Sequence, residues 1–376
     1  MKYLCLLLFA TFQLATNPLS GQSAPRARDL GIPFEGNPGP FNAITDVKGV
    51  LVGHSTLVHG EGSEAIRTGV TAILPNKDLI PYPASVFIFN GDAELSGAIF
   101  AKEFGYLRSP IMLTGTASNG TVYTSVIKWS LERLPHPIYL PVVMDTWDAH
   151  MSNFRLFPMQ ESHVYEALDE ARSGSVPEGS VGGGTGMTCY DFKAGIGTAS
   201  RVLSPEKGGY TVGVLVQTNH GNREDLLIAG VPVGKEMNRE QLPIINEKEG
   251  DGSILIVVAT DAPVTTEILQ AMAKRATFGL ARTGSQGSPF SGDVILAFST
   301  LQFEWSEDEP YKRVNLEYLG QYETGALYSA TIQATEEAII NSIVAGKDLT
   351  GIYGTTFYGI DHDRVKELLN KYHRLR

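Results

Sequence analysis

The chain has 376 residues, of which 43% are hydrophobic and 19% are charged, an ordinary globular composition with enough apolar surface for a large core. Its 30 Lys and Arg residues against 41 Asp and Glu residues give a net charge of −11, which argues against nucleic acid as the main partner because phosphates need a basic surface. Only two cysteines are present, Cys5 and Cys189, which excludes a disulfide framework and any zinc or iron–sulfur site made of cysteines.

The first 24 residues have the features of an export signal. Lys2 supplies a positive charge, residues 3–10 are apolar, and serine, glycine and alanine residues near the end form a cleavage zone. The apolar run is too short for a membrane anchor, and no later stretch is long enough for one. We therefore expect residues 1–24 to be a signal peptide and residues 25–376 to be one domain in the periplasm or outside the cell. A disordered N-terminus is the alternative.

Short apolar runs alternate with amphipathic segments after a lead-in rich in proline and glycine. Enrichment in Val, Ile and Phe between turn residues predicts strands at 50–53, 70–74, 85–89, 138–144, 210–218, 253–260 and 294–299. Helical spacing predicts helices at 118–133, 161–172, 261–280, 325–345 and 362–374. The segment 253–260 (SILIVVAT) is apolar on both faces, which is typical of a strand in the middle of a sheet. The alternation indicates a layered α/β domain.

Common catalytic motifs are missing from the sequence. It contains no HExxH zinc motif and no nucleotide-binding P-loop, and its eight histidines are scattered. The segment 53–57 comes nearest to a GxSxG nucleophile elbow but lacks the last glycine, so a conventional Ser–His–Asp hydrolase has little support. The glycine run at 182–186 has two interpretations: close backbone packing, or backbone N–H groups that line a site.

The junction between Gly252 and Ser253 is of a kind that can support a reaction of the serine hydroxyl. It joins the polar, acidic segment 240–252 directly to the apolar strand. A serine hydroxyl at such a junction can attack the preceding carbonyl, and glycine leaves that carbonyl open and tolerates unusual backbone angles. Hydrolysis of the resulting ester leaves Ser253 as a new N-terminus, whose amine, with a reference pKa of about 7.7–8.0, can act as the base for its own hydroxyl. A loop serine that merely begins a strand is the alternative.

Several segments together resemble the DmpA-type aminopeptidases, a family that includes the β-peptidyl aminopeptidases. The segments that carry the resemblance are residues 31–57, 141–153, 178–201, 214–221, 251–263 and 287–300, and the likeness covers about residues 30–370. The resemblance implies an αββα sandwich similar to that of the N-terminal nucleophile hydrolases, with different connectivity. It also implies self-cleavage between Gly252 and Ser253 into a large subunit, 25–252, and a small subunit, 253–376.

The same resemblance implies the activity and the assembly. The expected reaction is removal of an N-terminal residue from a small peptide or from an amino-acid amide or ester, with no metal or organic cofactor. The expected assembly is a homotetramer of processed heterodimers, with neither nucleic acid nor membrane as a partner. The side-chain preference, and the choice between L and D or α and β substrates, stay open.

The resemblance also assigns catalytic residues. Ser253 is the nucleophile, and Asn219 holds the oxyanion through its side-chain amide; a strand-end turn residue is the alternative for Asn219. Ser291 and Asp293 orient the hydroxyl and amine of the nucleophile, and their spacing of two places both on one face of a strand. Family members often have Glu where Asp293 stands, so the shorter side chain leaves open whether its contact is direct or passes through water.

Two residues of the segment 141–153 are candidates for substrate binding. Asp145 aligns with a carboxylate that binds the substrate amine, and a carboxylate at the surface or capping the core is the alternative. Trp147 stands where one branch of the family has tyrosine. Because indole donates one hydrogen bond and accepts none, the tyrosine role does not transfer, and we expect Trp147 to line the substrate pocket.

Two other functions compete with the aminopeptidase hypothesis. An acyltransferase of the related ornithine acetyltransferase type has a threonine nucleophile and no export signal, so Ser253 and residues 1–24 both argue against it. A non-catalytic periplasmic binding protein accounts for an acidic α/β domain but not for the Gly252–Ser253 junction.

Overall fold

The computed structural model describes residues 25–245, 252–301 and 317–375. The predicted signal peptide and residues 246–251 of the polar segment before Gly252 lie outside the described residues. Within the described part, no helix has both the length and the apolar character needed to cross a membrane.

The strands of the described residues fall into two large sheets and two small ribbons. The strands are β1 (Leu51–His59), β2 (Ile66–Leu74), β3 (Tyr82–Ile88), β4 (Tyr106–Leu107), β5 (Ile111–Gly115), β6 (Val142–Thr146), β7 (Thr188–Cys189), β8 (Phe192–Lys193), β9 (Ile196–Val202), β10 (Thr211–Asn219), β11 (Ser253–Thr260), β12 (Gly292–Ser299), β13 (Leu349–Thr350) and β14 (Thr356–Phe357). The helices are α1 (Ala98–Phe104), α2 (Asn119–Arg133), α3 (Glu161–Asp169), α4 (Val233–Glu236), α5 (Thr266–Arg282), α6 (Gly325–Val344) and α7 (His362–Lys371).

The larger sheet has six strands in the order β4-β3-β12-β11-β10-β9, and the smaller has four in the order β1-β2-β5-β6. Neighbouring strands are antiparallel except for the parallel pairs β11–β12 and β5–β6. The strand β11 therefore lies in the interior of its sheet, as its apolar sequence predicts.

Helices cover the outer face of each sheet. Alternate residues of β11, such as Ile254 and Ile256, pack with α5 and α6, while Leu255 and Val257 pack against the four-stranded sheet. The helices α2 and α3 cover the other face of that second sheet. The result is the αββα sandwich that the resemblance implies.

Some predicted boundaries are wrong because tertiary contacts override the local pattern. The helix predicted to run to 172 ends at Asp169, since the backbone of Arg172 pairs with Val52 at the edge of the smaller sheet. The strand predicted at 138–144 begins only at Val142, after Pro141. The helix predicted from 261 begins at Thr266, beyond Pro263.

The glycine run at 182–186 serves close packing. A Cβ on Gly183 would overlap the side-chain oxygen of Gln217, and one on Gly184 would overlap the backbone of Ile196. The N–H groups of Gly182 and Gly183 donate to the hydroxyls of Thr56 and Thr71, at 2.8 and 3.1 Å. Because these N–H groups already have partners within the protein, the packing interpretation holds for this run.

Candidate active site

The sheet brings the predicted catalytic residues together at one end of three adjacent strands. Ser253 is the first residue of β11 and pairs with Asn219 at the end of β10 and with Gly292 at the start of β12. Ser291 and Asp293 flank Gly292. These residues are far apart in the chain, and the register of the sheet makes them neighbours.

Ser253 is held in a buried position, with 5% of its surface exposed. Its Oγ accepts the backbone N–H of Gly292 at 3.1 Å. A hydroxyl accepts through its lone pairs and keeps its own hydrogen for donation. The bond therefore orients the oxygen and leaves the proton available to a base.

Gly252 is packed too tightly to carry a side chain. A Cβ there would overlap the carbonyl oxygen of Asn219 and would lie 2.8 Å from the Cα of His220. Glycine is required because two backbones approach each other closely.

Asp293 forms the centre of a hydrogen-bonded group. The Oγ of Ser291 donates to one carboxylate oxygen at 2.6 Å, and the Nδ2 of Asn90 donates to the other at 2.8 Å. Burial raises the pKa of Asp293, against the lowering effect of Ser291, Asn90 and the backbone N–H of Ile254. The carboxylate of Asp293 thus contacts Ser291 and Asn90, and its contact with Ser253 stays a prediction.

Asn219 is buried with its amide in a fixed orientation. Its Oδ1 accepts the N–H of Thr188 at 3.1 Å, and its Nδ2 donates to the carbonyl of Trp147 at 2.8 Å. An amide nitrogen carries two hydrogens. Asn219 therefore has a second N–H that can donate beside Ser253.

The end of β6 supplies Asp145 and Trp147. Asp145 is 1% exposed, and its Oδ1 accepts the N–H of Glu94 at 3.0 Å and the Nδ2 of Asn119 at 2.6 Å. The Trp147 side chain is 44% exposed and packs on Phe154, with ring centroids 5.1 Å apart. The backbone carbonyl of Trp147 contacts Asn219, and Trp147 itself is exposed. The amine-binding role of Asp145 stays a prediction.

Three residues near the site were missed by the sequence analysis. Asn90 reaches Asp293 from the end of β3, and Asn119 reaches Asp145 from the start of α2. Asp148 is buried, and that burial, with a smaller effect of the Asp145 charge, raises its pKa to about 6. The only available signal was that Asp148 lies three residues after Asp145; nothing in the local sequence marked the two asparagines.

The family model described as peptidase family S58 matches residues 42–357. The chain belongs to peptidase family S58. The beta-peptidyl aminopeptidase BapA of Sphingosinicella xenopeptidilytica is 43% identical, over 94% of this chain and 92% of the relative. The solved Burkholderia sp. beta-aminopeptidase is 39% identical with a TM-score of 0.85, over 92% of this chain and 99% of that one.

A second solved member of similar likeness is the L-aminopeptidase D-Ala-esterase/amidase of Ochrobactrum anthropi. It has 38% identity and a TM-score of 0.86, over 94% of this chain and 100% of that one, and is described as a prototype for the serine aminopeptidases and a new variant among the Ntn hydrolase fold. The predicted family, fold and enzyme class are therefore confirmed: this S58 chain is a serine-type aminopeptidase. The acyltransferase and binding-protein alternatives are not favoured.

Proposed function

We propose that this S58 peptidase cleaves its own Gly252–Ser253 bond and then uses Ser253, as a new N-terminal residue, to remove N-terminal residues from short peptides and from amino-acid amides or esters. The observation that carries the proposal is the placement of Ser253. It is the first residue of an interior strand, it is preceded by a glycine that admits no side chain, and it lies between Asn219 and Gly292.

Self-cleavage follows from this placement. The Ser253 oxygen attacks the Gly252 carbonyl carbon, the bond from that carbon to the Ser253 nitrogen breaks, and the hydroxyl proton goes to the departing nitrogen. Water then hydrolyses the ester, which leaves a carboxylate on Gly252 and a free amine and hydroxyl on Ser253. The Gly292 N–H bond orients the attacking oxygen, and Gly252 packs closely against the backbone of Asn219 and His220.

Turnover uses the same serine on the substrate. The freed amine of Ser253 takes the hydroxyl proton as the oxygen attacks the substrate carbonyl, and gives that proton to the leaving amine as the acyl–nitrogen bond breaks. Water, activated by the same amine, then hydrolyses the acyl ester, which releases the amino acid and restores the Ser253 hydroxyl. The second N–H of Asn219 donates to the oxyanion. Ser291 and Asp293, which are hydrogen-bonded to each other, orient the hydroxyl and the freed amine of Ser253.

Recognition of the substrate amine falls to the end of β6. The buried carboxylate of Asp145 offers the negative charge that an ammonium group needs, and Trp147 supplies an exposed apolar wall. Because one similar protein is named a beta-peptidyl aminopeptidase and another a beta-aminopeptidase, we propose that N-terminal β-amino acids are among the substrates.

Export and assembly complete the proposal. The composition of residues 1–24 supports removal of a signal peptide and a periplasmic or extracellular location. The family resemblance supports a homotetramer of processed heterodimers.

A panel of p-nitroanilides tests the activity and the substrate class. We expect β-alanine p-nitroanilide to be hydrolysed, alongside the L- and D-alanine compounds as comparisons. N-acetylated versions should be cleaved at least about 100-fold more slowly, because a site built to bind a polar group rejects analogues that lack it.

Each result of the panel decides a different part of the proposal. Equal cleavage of acetylated and free substrates contradicts the aminopeptidase mechanism. Cleavage of the α compounds alone contradicts only the β-amino-acid assignment. Release of p-nitroaniline is followed by absorbance, with the Ser253→Ala variant as the enzyme blank.

A further inference from the structure

Lys193 is a fully buried lysine whose position the proposed mechanism has not used. None of its surface is exposed, and burial lowers its pKa to about 7. Its Nζ donates to two backbone carbonyls, those of Met187 at 2.6 Å and Ala194 at 2.8 Å. Burial of an ammonium group on carbonyl partners is costly, so its presence points to a function.

One peptide group connects Lys193 to Asn219. The carbonyl of Met187, which accepts from Lys193, and the N–H of Thr188 belong to the same peptide unit, and that N–H donates to the Oδ1 of Asn219 at 3.1 Å. An N–H donor on the carbonyl side polarises the peptide and strengthens the bond on its N–H side. Lys193 therefore strengthens the hydrogen bond from Thr188 to Asn219, which fixes the orientation of the Asn219 amide with Oδ1 toward Thr188.

The surrounding strands hold this connection in register. β7 and β8 form a two-stranded ribbon in which Thr188 pairs with Lys193, so the lysine lies directly opposite the peptide that it contacts. Asn219 in turn pairs with Ser253 across β10 and β11. With Oδ1 turned to Thr188, the Nδ2 group donates to the Trp147 carbonyl, and Asn219 lies beside the start of β11.

We propose that Lys193 is a positioning residue for the oxyanion donor: through the Met187–Thr188 peptide, it holds the Asn219 amide with Nδ2 turned toward the carbonyl that Ser253 attacks. The inference rests on the proposed roles of Asn219 and Ser253. It assigns Lys193 an effect on the transition state and none on the binding of substrate.

The Lys193→Met variant removes the donor and keeps the length and apolar stem. Folding should survive, because Met187 O still accepts the Ala194 N–H at 3.3 Å and Ala194 O the Ser180 hydroxyl at 3.5 Å. For the processed enzyme we expect kcat to fall about 10- to 100-fold, as is typical when a supporting contact of a catalytic group is lost, with KM changed less than about 3-fold. Lys102→Met, at an exposed position on α1, is the matched control and should behave as wild type.

A double-mutant cycle separates positioning from a purely structural role. In an Asn219→Ala background there is no amide to orient, so Lys193→Met should change kcat by less than about 2-fold. An equal loss in both backgrounds overturns the proposal. If Asn219→Ala alone leaves kcat at the wild-type level, the oxyanion role itself fails, which is a failure of the proposed function rather than of Lys193.

A second variant guards against a folding defect. Lys193→Gln keeps an N–H donor without the charge and should retain more activity than Lys193→Met. If thermal unfolding shows that neither variant folds, Lys193 has a structural role and the positioning proposal is wrong.

Discussion

Replacement of Ser253 by alanine should leave the chain uncut between residues 252 and 253 and should abolish hydrolysis of aminoacyl amides. The Ser253 Oγ attacks both in self-cleavage and in turnover, and the Ser253 nitrogen that cleavage releases becomes the base. Loss of this one oxygen atom therefore abolishes both reactions. Loss of a serine nucleophile lowers kcat by roughly 10⁶-fold in a well-studied serine protease, and we expect a loss of that order. The fold should survive, since the change leaves only the Gly292 N–H without its acceptor, at a cost of about 1–3 kcal/mol.

The measurement is a denaturing gel together with the p-nitroanilide assay. Wild type should give two fragments, and Ser253→Ala should give one full-length band with no activity. Ser329→Ala, which alters an exposed serine on α6, is the control and should be cut and active. A Ser253→Ala protein that is still cut at this bond contradicts the proposed nucleophile.

Replacement of Asn219 by alanine should lower kcat by about 10²–10³-fold with little change in KM, because removal of one oxyanion donor has an effect of this size. The donor acts on charge that develops only in the transition state, so substrate binding should hardly change. The Thr188 N–H and the Trp147 carbonyl lose a partner, so thermal stability should also fall modestly.

Steady-state kinetics of the processed enzyme measure this effect. Asn219→Asp sharpens the test because it keeps the shape and the acceptor for Thr188 but removes the donor, and its loss in kcat should be at least as large. Asn370→Ala, at an exposed position on α7, serves as the control. A kcat within about 3-fold of wild type in Asn219→Ala would show that another group holds the oxyanion.

Local pattern predicted some buried elements closely and missed others. The strand β11 and the helix α6 were predicted to within one or two residues because the apolar residues in their sequences indicate buried elements. The end of α3 was wrong because Arg172 pairs with Val52, a contact between distant parts of the chain that no local window contains. The short strands β5 and β9 were missed, although both are buried in the sandwich.

The site depended on a different kind of information. Chemistry alone singled out Gly252 and Ser253, but only the family resemblance joined Ser253 with Asn219 and Asp293, since periodicity does not determine which strands are neighbours. The shortness of Asp293 left open whether it contacts Ser253 directly, and that contact stays a prediction; the carboxylate accepts from Ser291 and Asn90. Lys193 escaped notice because a lysine in a glycine-rich segment is normally exposed.

The central claim is that cleavage gives Ser253 a free α-amine and that this amine makes the serine catalytic. Intact-mass spectrometry of purified wild-type enzyme tests this claim most directly. We predict two chains, one that ends at Gly252 and one that spans residues 253–376, and a loss of activity when the new α-amine is selectively blocked. A fully active preparation in which the bond between Gly252 and Ser253 is intact would contradict the account.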